Sequence, residues 1–283
     1  MKSYFKHLPT LAAIVLSLGL AENLYAQNAC EDQFTESEQG QVQRVTITNH
    51  EVAAVVEMAR SIHVPILSPV NQRNQFINSY FNKNLNFLTA HQAISLSKAF
   101  WSTADASAML LTFMNWRAAD LNSTEAFHLL AASSSYLYTN PMLRTYFKAH
   151  LQDMSAHTAI GLAKMAGDNR IINELLWDYF HHHISTLSVH TALKLAGETR
   201  VNNFFNQMLL NFVVNRAKEI GIQEALTLAK AERNNRFIDA ILLTYLRANV
   251  MNLSHAEVMS LSDEATSYTT RNEIISIYAR SRI

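Results

Sequence analysis

Hydrophobic and polar positions along the chain recur with a fixed long period. The segments LTAHQAISLSKA from Leu88, LNSTEAFHLLAA from Leu121, MSAHTAIGLAKM from Met154, LSVHTALKLAGE from Leu187, IGIQEALTLAKA from Ile220 and LSHAEVMSLSDE from Leu253 align column by column. Their starts, 88, 121, 154, 187, 220 and 253, are each 33 residues apart, the signature of a tandem repeat. An earlier copy, ITNHEVAAVVEM, starts at Ile47, 41 residues before Leu88. It therefore carries 8 extra residues, assigned to 64–71, where Pro65 and Pro69 stand. Seven copies fill residues 47–283, the last stopping two residues short of a full period.

Each column predicts an element. The second position reads Thr48, Thr89, Asn122, Ser155, Ser188, Gly221, Ser254, residue types favoured at a helix N-cap. Three residues on stand Glu51, Gln92, Glu125, Thr158, Thr191, Glu224 and Glu257, which completes a capping box in most copies. A first helix is expected from there, with an inner face of Ala93, Ala126, Ala159, Ala192 and Ala225, then Leu96, Leu129, Leu162, Leu195, Leu228 and Leu261. Small alanines allow close helix approach, and the leucines fill the seam. A second helix is expected to open near Ser102, Ser135, Asp168 and Asn234. Its apolar stripe holds Leu110, Leu143, Leu176, Leu209, Leu242 and Ile275, followed by the aromatic column Tyr80, Phe113, Tyr146, Tyr179, Phe212, Tyr245, Tyr278. Spacings of 3 and 4 put these on one buried face, so the aromatic column reads as core.

A helix pair of this size cannot bury such a stripe alone, and stacking the copies makes one continuous core. The expected fold is all-α: a right-handed α-solenoid of about seven helix-pair repeats. In architecture the chain resembles tetratricopeptide-like helix pairs. It shares its period with ankyrin repeats, to whose tetrapeptide His190-Thr191-Ala192-Leu193 is similar. The opening Leu88-Thr89-Ala90-His91-Gln92 resembles the first-helix motif of TAL-effector repeats. These likenesses imply stacked helix pairs and carry no functional residues.

The first 26 residues follow another pattern. Lys2 and Lys6 precede the apolar run Leu11 to Leu20, and Ala21, Ala26 and Ala29 offer small residues for cleavage. Residues 1–26 are expected to be a secretory signal peptide cut after Ala26, and residues 27–46 a flexible polar leader. The product is expected to be exported, periplasmic or secreted; lipoprotein anchoring at Cys30, the single cysteine, is the minor alternative. No transmembrane segment is expected, since the apolar run is too short.

Composition narrows the classes. Lys+Arg 23 balances Asp+Glu 23, which disfavours non-specific nucleic-acid binding. With Gly 6 and Pro 4 the chain lacks the turn formers of many-stranded β folds. No phosphate-binding glycine loop and no nucleophile elbow occurs, and no nucleophile, base and orienting group recur as a set. A non-enzyme without a cofactor is expected.

Two polar columns are candidates for binding. Ser107, Asn140, Asn173, Asn206, Asp239 and Asn272 recur early in the second helix. They could hydrogen-bond the backbone of an extended peptide, an arrangement similar to that of armadillo repeats, or they could cap a helix start. Pro141 after Asn140 favours the cap in its copy, because proline suits the first helical position. The second candidate is a histidine row. His91, His157 and His190 share one column, and His150 and His183 another, where Arg117, Arg216 and Arg282 also occur. His150, His157, His183 and His190 could gather as soft-metal ligands or titrate together; the alternative is capping of helix C-termini. The expected function is an exported scaffold binding a protein or peptide along a curved repeat surface, with a His-rich metal-binding or pH-responsive protein as the alternative. The last copy shows an apolar stripe through Ile274, Ile275 and Tyr278, from which weak self-association is expected.

Overall fold

Helix starts fall where the cap residues stand. Thr48, Thr89, Asn122 and Ser254 each accept from the backbone N–H three residues on, and the Glu or Gln at that position returns a bond to the cap's own N–H. Ser155 and Ser188 accept from Thr158 and Thr191 in the same way. At Gly221, which has no side chain to offer, only the return bond to Glu224 Oε2 is made, at 2.8 Å. Ser102, Ser135, Asp168, Asn234 and Ser267 cap the second helices. Val201 stands in that column and makes no side-chain cap.

The computed structural model describes residues 46–62 and 72–283, all within the unit Thr46–Ile283. The expected signal peptide, the leader up to residue 45 and the insertion at 64–71 lie outside the described residues. Within them the regular structure is helical: α1 (Asn49–Ser61), α2 (Gln72–Asn84), α3 (Ala90–Ser97), α4 (Thr103–Arg117), α5 (Ser123–Ala132), α6 (Tyr136–His150) and α7 (Ala156–Ala163). There follow α8 (Asn169–His183), α9 (Val189–Gly197), α10 (Asn202–Arg216), α11 (Ile222–Ala231), α12 (Asn235–Asn249), α13 (His255–Glu264) and α14 (Tyr268–Ser281). A single 3₁₀ turn, Ala118–Asp120, follows α4, and no strand occurs among the described residues.

The helices pack in neighbouring pairs, each odd-numbered helix against the even one that follows. Along the chain α4, α6, α8, α10 and α12 each touch the next even helix, and α7, α9 and α11 each touch the next odd one. We call the turn inside a pair a pair turn, and the turn between pairs a junction.

Packing follows the sequence columns. Ala93, Ala126, Ala159, Ala192 and Ala225, and the leucines at 96, 129, 162, 195, 228 and 261, are fully buried. Each buried leucine contributes roughly 1.5–3 kcal/mol by removal from water. Phe113, Tyr146, Tyr179, Phe212 and Tyr245 are core, while Tyr80 and Tyr278 at the two ends are half-buried. The stripe changes character at Ile275, which is 44% exposed where Leu110, Leu143, Leu209 and Leu242 are closed off.

Pro141 departs from expectation. It does not open a helix; α6 starts at Tyr136, capped by Ser135, and Pro141 lies inside it. Its missing N–H leaves the Leu137 carbonyl without its usual partner, at a residue 73% exposed where water can serve instead.

Candidate partner-binding surfaces

The asparagine column points into the protein. Asn173 Oδ1 accepts from the Arg200 backbone N–H at 2.8 Å, and Asp239 Oδ1 from that of Thr266 at 2.8 Å. Ser107 Oγ accepts from Ser134 N at 3.2 Å, and Asn74, one copy earlier, accepts from Trp101 N at 3.1 Å. Each bond spans 27 residues and ties an even helix to the pair turn of the next pair. Asn206 is also buried; with its amide turned so that oxygen and nitrogen exchange places, the nitrogen donates to Glu232 Oε2 at 2.6 Å and to the Asn202 carbonyl at 3.3 Å. Asn140 is half-buried, and its Oδ1 finds no partner among the described residues. Asn272 is exposed. At Asn173 and Asp239 the acceptor oxygens, and at Asn206 the turned amide, are thus engaged by the chain itself rather than offered to an extended peptide. The physical reason is the pair-turn amide, which needs an acceptor once the next pair covers it. Ser, Asn and Asp share an acceptor oxygen, the one group that the pair-turn amide requires.

The histidines divide in the same way. His150 Nε2 meets the Ala118 carbonyl and His183 Nε2 the Leu151 carbonyl, both at 2.6 Å, so each ring donates from Nε2. In the same column Arg216 donates to Ile184 and Leu187 carbonyls, both at 3.1 Å, and Asn249 to the Ala217 carbonyl at 2.7 Å. Ala118, Leu151, Ile184 and Ala217 are the C-cap residues of α4, α6, α8 and α10. The column thus closes helix C-termini across the junction, where orphan carbonyls and the negative dipole end favour a donor or cation. Rings of Tyr146 and Tyr179 lie 4.3 and 4.4 Å from those of His150 and His183. His157 and His190 are exposed in the first turns of α7 and α9. No group of three His, Cys, Asp or Glu among the described residues is placed to hold a metal ion, so the four histidines do not gather as the metal reading required.

The aromatic column's hydroxyls also turn inward. Tyr179 donates to the Met154 carbonyl at 3.1 Å, and burial raises its phenol above the ordinary value, as it does for Tyr146 and Tyr245.

Two surfaces remain available. The first is a groove of about 580 Å³ along α6 and α8, lined by Arg144, Phe147, Lys148, Leu175, Asp178 and His182 among others. Arg144 grips Glu174 through two bonds of 2.7 and 2.6 Å, which holds the Glu174 carboxyl below its usual range. Burial, with Glu174 nearby, pushes Asp178 up. On the same helix His181 meets Asn211 at 3.0 Å and stands edge-on to Trp177 at 4.6 Å. The charges are interlocked rather than aimed at one point.

The second surface is the edge formed by the pair turns. Trp101 is 70% exposed, Tyr136 63% and Leu137 73%, on the first two complete pair turns after α3. The Tyr136 ring lies over Gly167, where an added Cβ would come within 2.1 Å of it, so only glycine admits this approach. Further along the edge Arg170, Arg200, Arg233 and Arg236 are exposed. Sequence reasoning passed over this edge because its residues differ from copy to copy and formed no column.

The folded class is an all-helical protein of paired helices tied by cross-pair hydrogen bonds. No protein-family profile, no characterised protein and no solved structure matches the chain. None of the described helices is long and apolar enough to cross a membrane.

Proposed function

We propose that residues 47–283 are a right-handed α-solenoid of about seven helix pairs with a 33-residue period, exported behind a signal peptide. It acts as a non-catalytic scaffold that binds a protein segment along its curved repeat surface, at the pair-turn edge. The observation that carries this reading is the exposure of Trp101, Tyr136 and Leu137, at 70%, 63% and 73%, on neighbouring turns of one edge. Large apolar side chains of this kind anchor protein interfaces, and a scaffold held by internal staples loses little freedom on binding. Weak self-association through α13 and α14 belongs to the same reading. Ile275 and Met259 favour it, at 44% and 37% exposed, whereas Arg271 in the column of Ile172, Phe205 and Ile238 opposes it.

The test is crosslinking capture with the mature chain, residues 27–283, carrying a histidine-free tag, from exported fractions with and without chelator. A specific protein retained in chelator, and lost with Trp101→Ser plus Leu137→Ser while thermal unfolding stays unchanged, supports the scaffold. Capture indifferent to both substitutions removes the edge from the reading. A partner released by chelator would return the metal alternative.

A further inference from the structure

The arginines of this chain are used unevenly. Arg60, Arg117, Arg144, Arg216 and Arg247 each have a carboxylate within 4.0 Å, and Arg73, Arg271 and Arg282 donate to backbone carbonyls. At the pair turns before α10 and α12 the pattern breaks. Arg200, Arg233 and Arg236 are exposed and form no ion pair among the described residues, while Arg170, on the preceding turn, reaches Asp168 only at 3.8 Å. Arg233 is held in place by the Phe205 ring, 5.7 Å from its guanidinium carbon. The Arg200 backbone is fixed by Asn173. Nearby acidic groups are engaged elsewhere: Glu198 with Lys164 and Glu264 with Lys230, each at 2.8 Å, and Glu232 is buried. Two successive turns of a neutral chain thus present three guanidinium groups without an ion pair among the described residues, and the turn before them adds Arg170, whose carboxylate neighbour, Asp168, stands 3.8 Å away.

We propose that this stretch of the edge docks an extended acidic polypeptide segment, with Asp or Glu recurring at every third position. The register follows from geometry. Packed helices lie about 8–10 Å apart, and an extended chain advances about 3.3 Å per residue, so every third residue meets the next turn. Planar guanidinium groups bind carboxylates in pairs of hydrogen bonds, which makes arginine the fitting cation. Trp101, Tyr136 and Leu137 on earlier turns of the same edge would take apolar residues at one end of the segment. This inference deepens the scaffold reading and rests on its choice of edge.

The probe is a fluorescein-labelled twelve-residue peptide with aspartate at every third position and Gly-Ser between, titrated against the mature chain by anisotropy at low salt. An isomer with its aspartates clustered at one end, a twelve-nucleotide oligothymidylate and phosphatidylglycerol vesicles are the comparisons. The spaced peptide is expected to bind more tightly than all three. Arg200→Gln with Arg233→Gln and Arg236→Gln should weaken it by about tenfold or more, and Lys83→Gln, at an exposed lysine on α2, should leave it unchanged. Arg200→Gln alone, at an exposed side chain without an ion pair, should weaken it severalfold and guards against a folding defect at Phe205. Equal binding by the triple variant overturns the proposal, as does tighter binding of the oligonucleotide or the vesicles. Arginine-dependent peptide binding with partner capture indifferent to Trp101 and Leu137 would sink the apolar anchor alone; the reverse would sink the acidic segment alone.

Discussion

His183 places Nε2 2.6 Å from the carbonyl oxygen of Leu151, 32 residues earlier in the chain, closing the C-terminus of α6 from the end of α8. The bond makes this histidine a structural donor between pairs. His183→Ala should lower unfolding stability by about 1–2 kcal/mol, the cost of an unmet, partly buried carbonyl. His183→Asn should recover part of it, since Asn249 performs the same task at 2.7 Å from Ala217. Chemical denaturation measures both, and zinc retention by the two variants should equal that of the parent. A loss of bound zinc would contradict the assignment.

Asn173 should behave as a buried staple. Asn173→Ala strands the Arg200 amide and should cost about 1–3 kcal/mol. Native-state hydrogen exchange at the Arg200 N–H should quicken more than at the Thr266 N–H, which keeps its bond to Asp239. Unchanged exchange would show that water replaces the asparagine.

Glu232 predicts a pH dependence. It is 6% exposed, its Oε1 has no partner among the described residues, and burial raises it from 4.5 to about 7. The folded state therefore holds this proton more tightly than the unfolded chain. The penalty is absent below the unfolded value and grows as pH rises from 4.5 through about 7. Stability should fall by on the order of 3 kcal/mol across that window. Glu232→Gln should flatten the slope and raise Tm above pH 7, while leaving the acid side unchanged. A slope that survives the Glu232→Gln substitution would assign it to other groups.

Pro141 inside α6 removes one helix hydrogen bond. Pro141→Ala restores a donor for the Leu137 carbonyl and should raise stability by about 1–3 kcal/mol, read as a higher Tm in calorimetry. A lower Tm would mean that the rigid ring holds the exposed Tyr136–Leu137 turn in place.

The helices were legible in the sequence because caps and apolar stripes act locally. Ser, Thr, Asn or Glu near a first turn satisfies that turn's own amides, whatever packs above it. Ala159 and Leu162 share a helical face by spacing alone, and both are fully buried. The helix start at Ser135 was legible for the same reason, whereas the cap reading of Asn140 before Pro141 failed because Ser135 had already opened the helix five residues earlier.

The sequence by itself determined the helical class, the period of the helix starts and the residues of the core, since each follows from spacing within a single helix or pair. Tertiary structure alone decided what the polar columns do. Asn173 with Arg200 and His183 with Leu151 are separated by 27 and 32 residues, nearly one period, so their meeting depends on how one pair seats on the next. Side-chain identity could not tell an inward staple from an outward ladder. Burial could, because an amide or carbonyl covered by the next pair must find its partner within the chain.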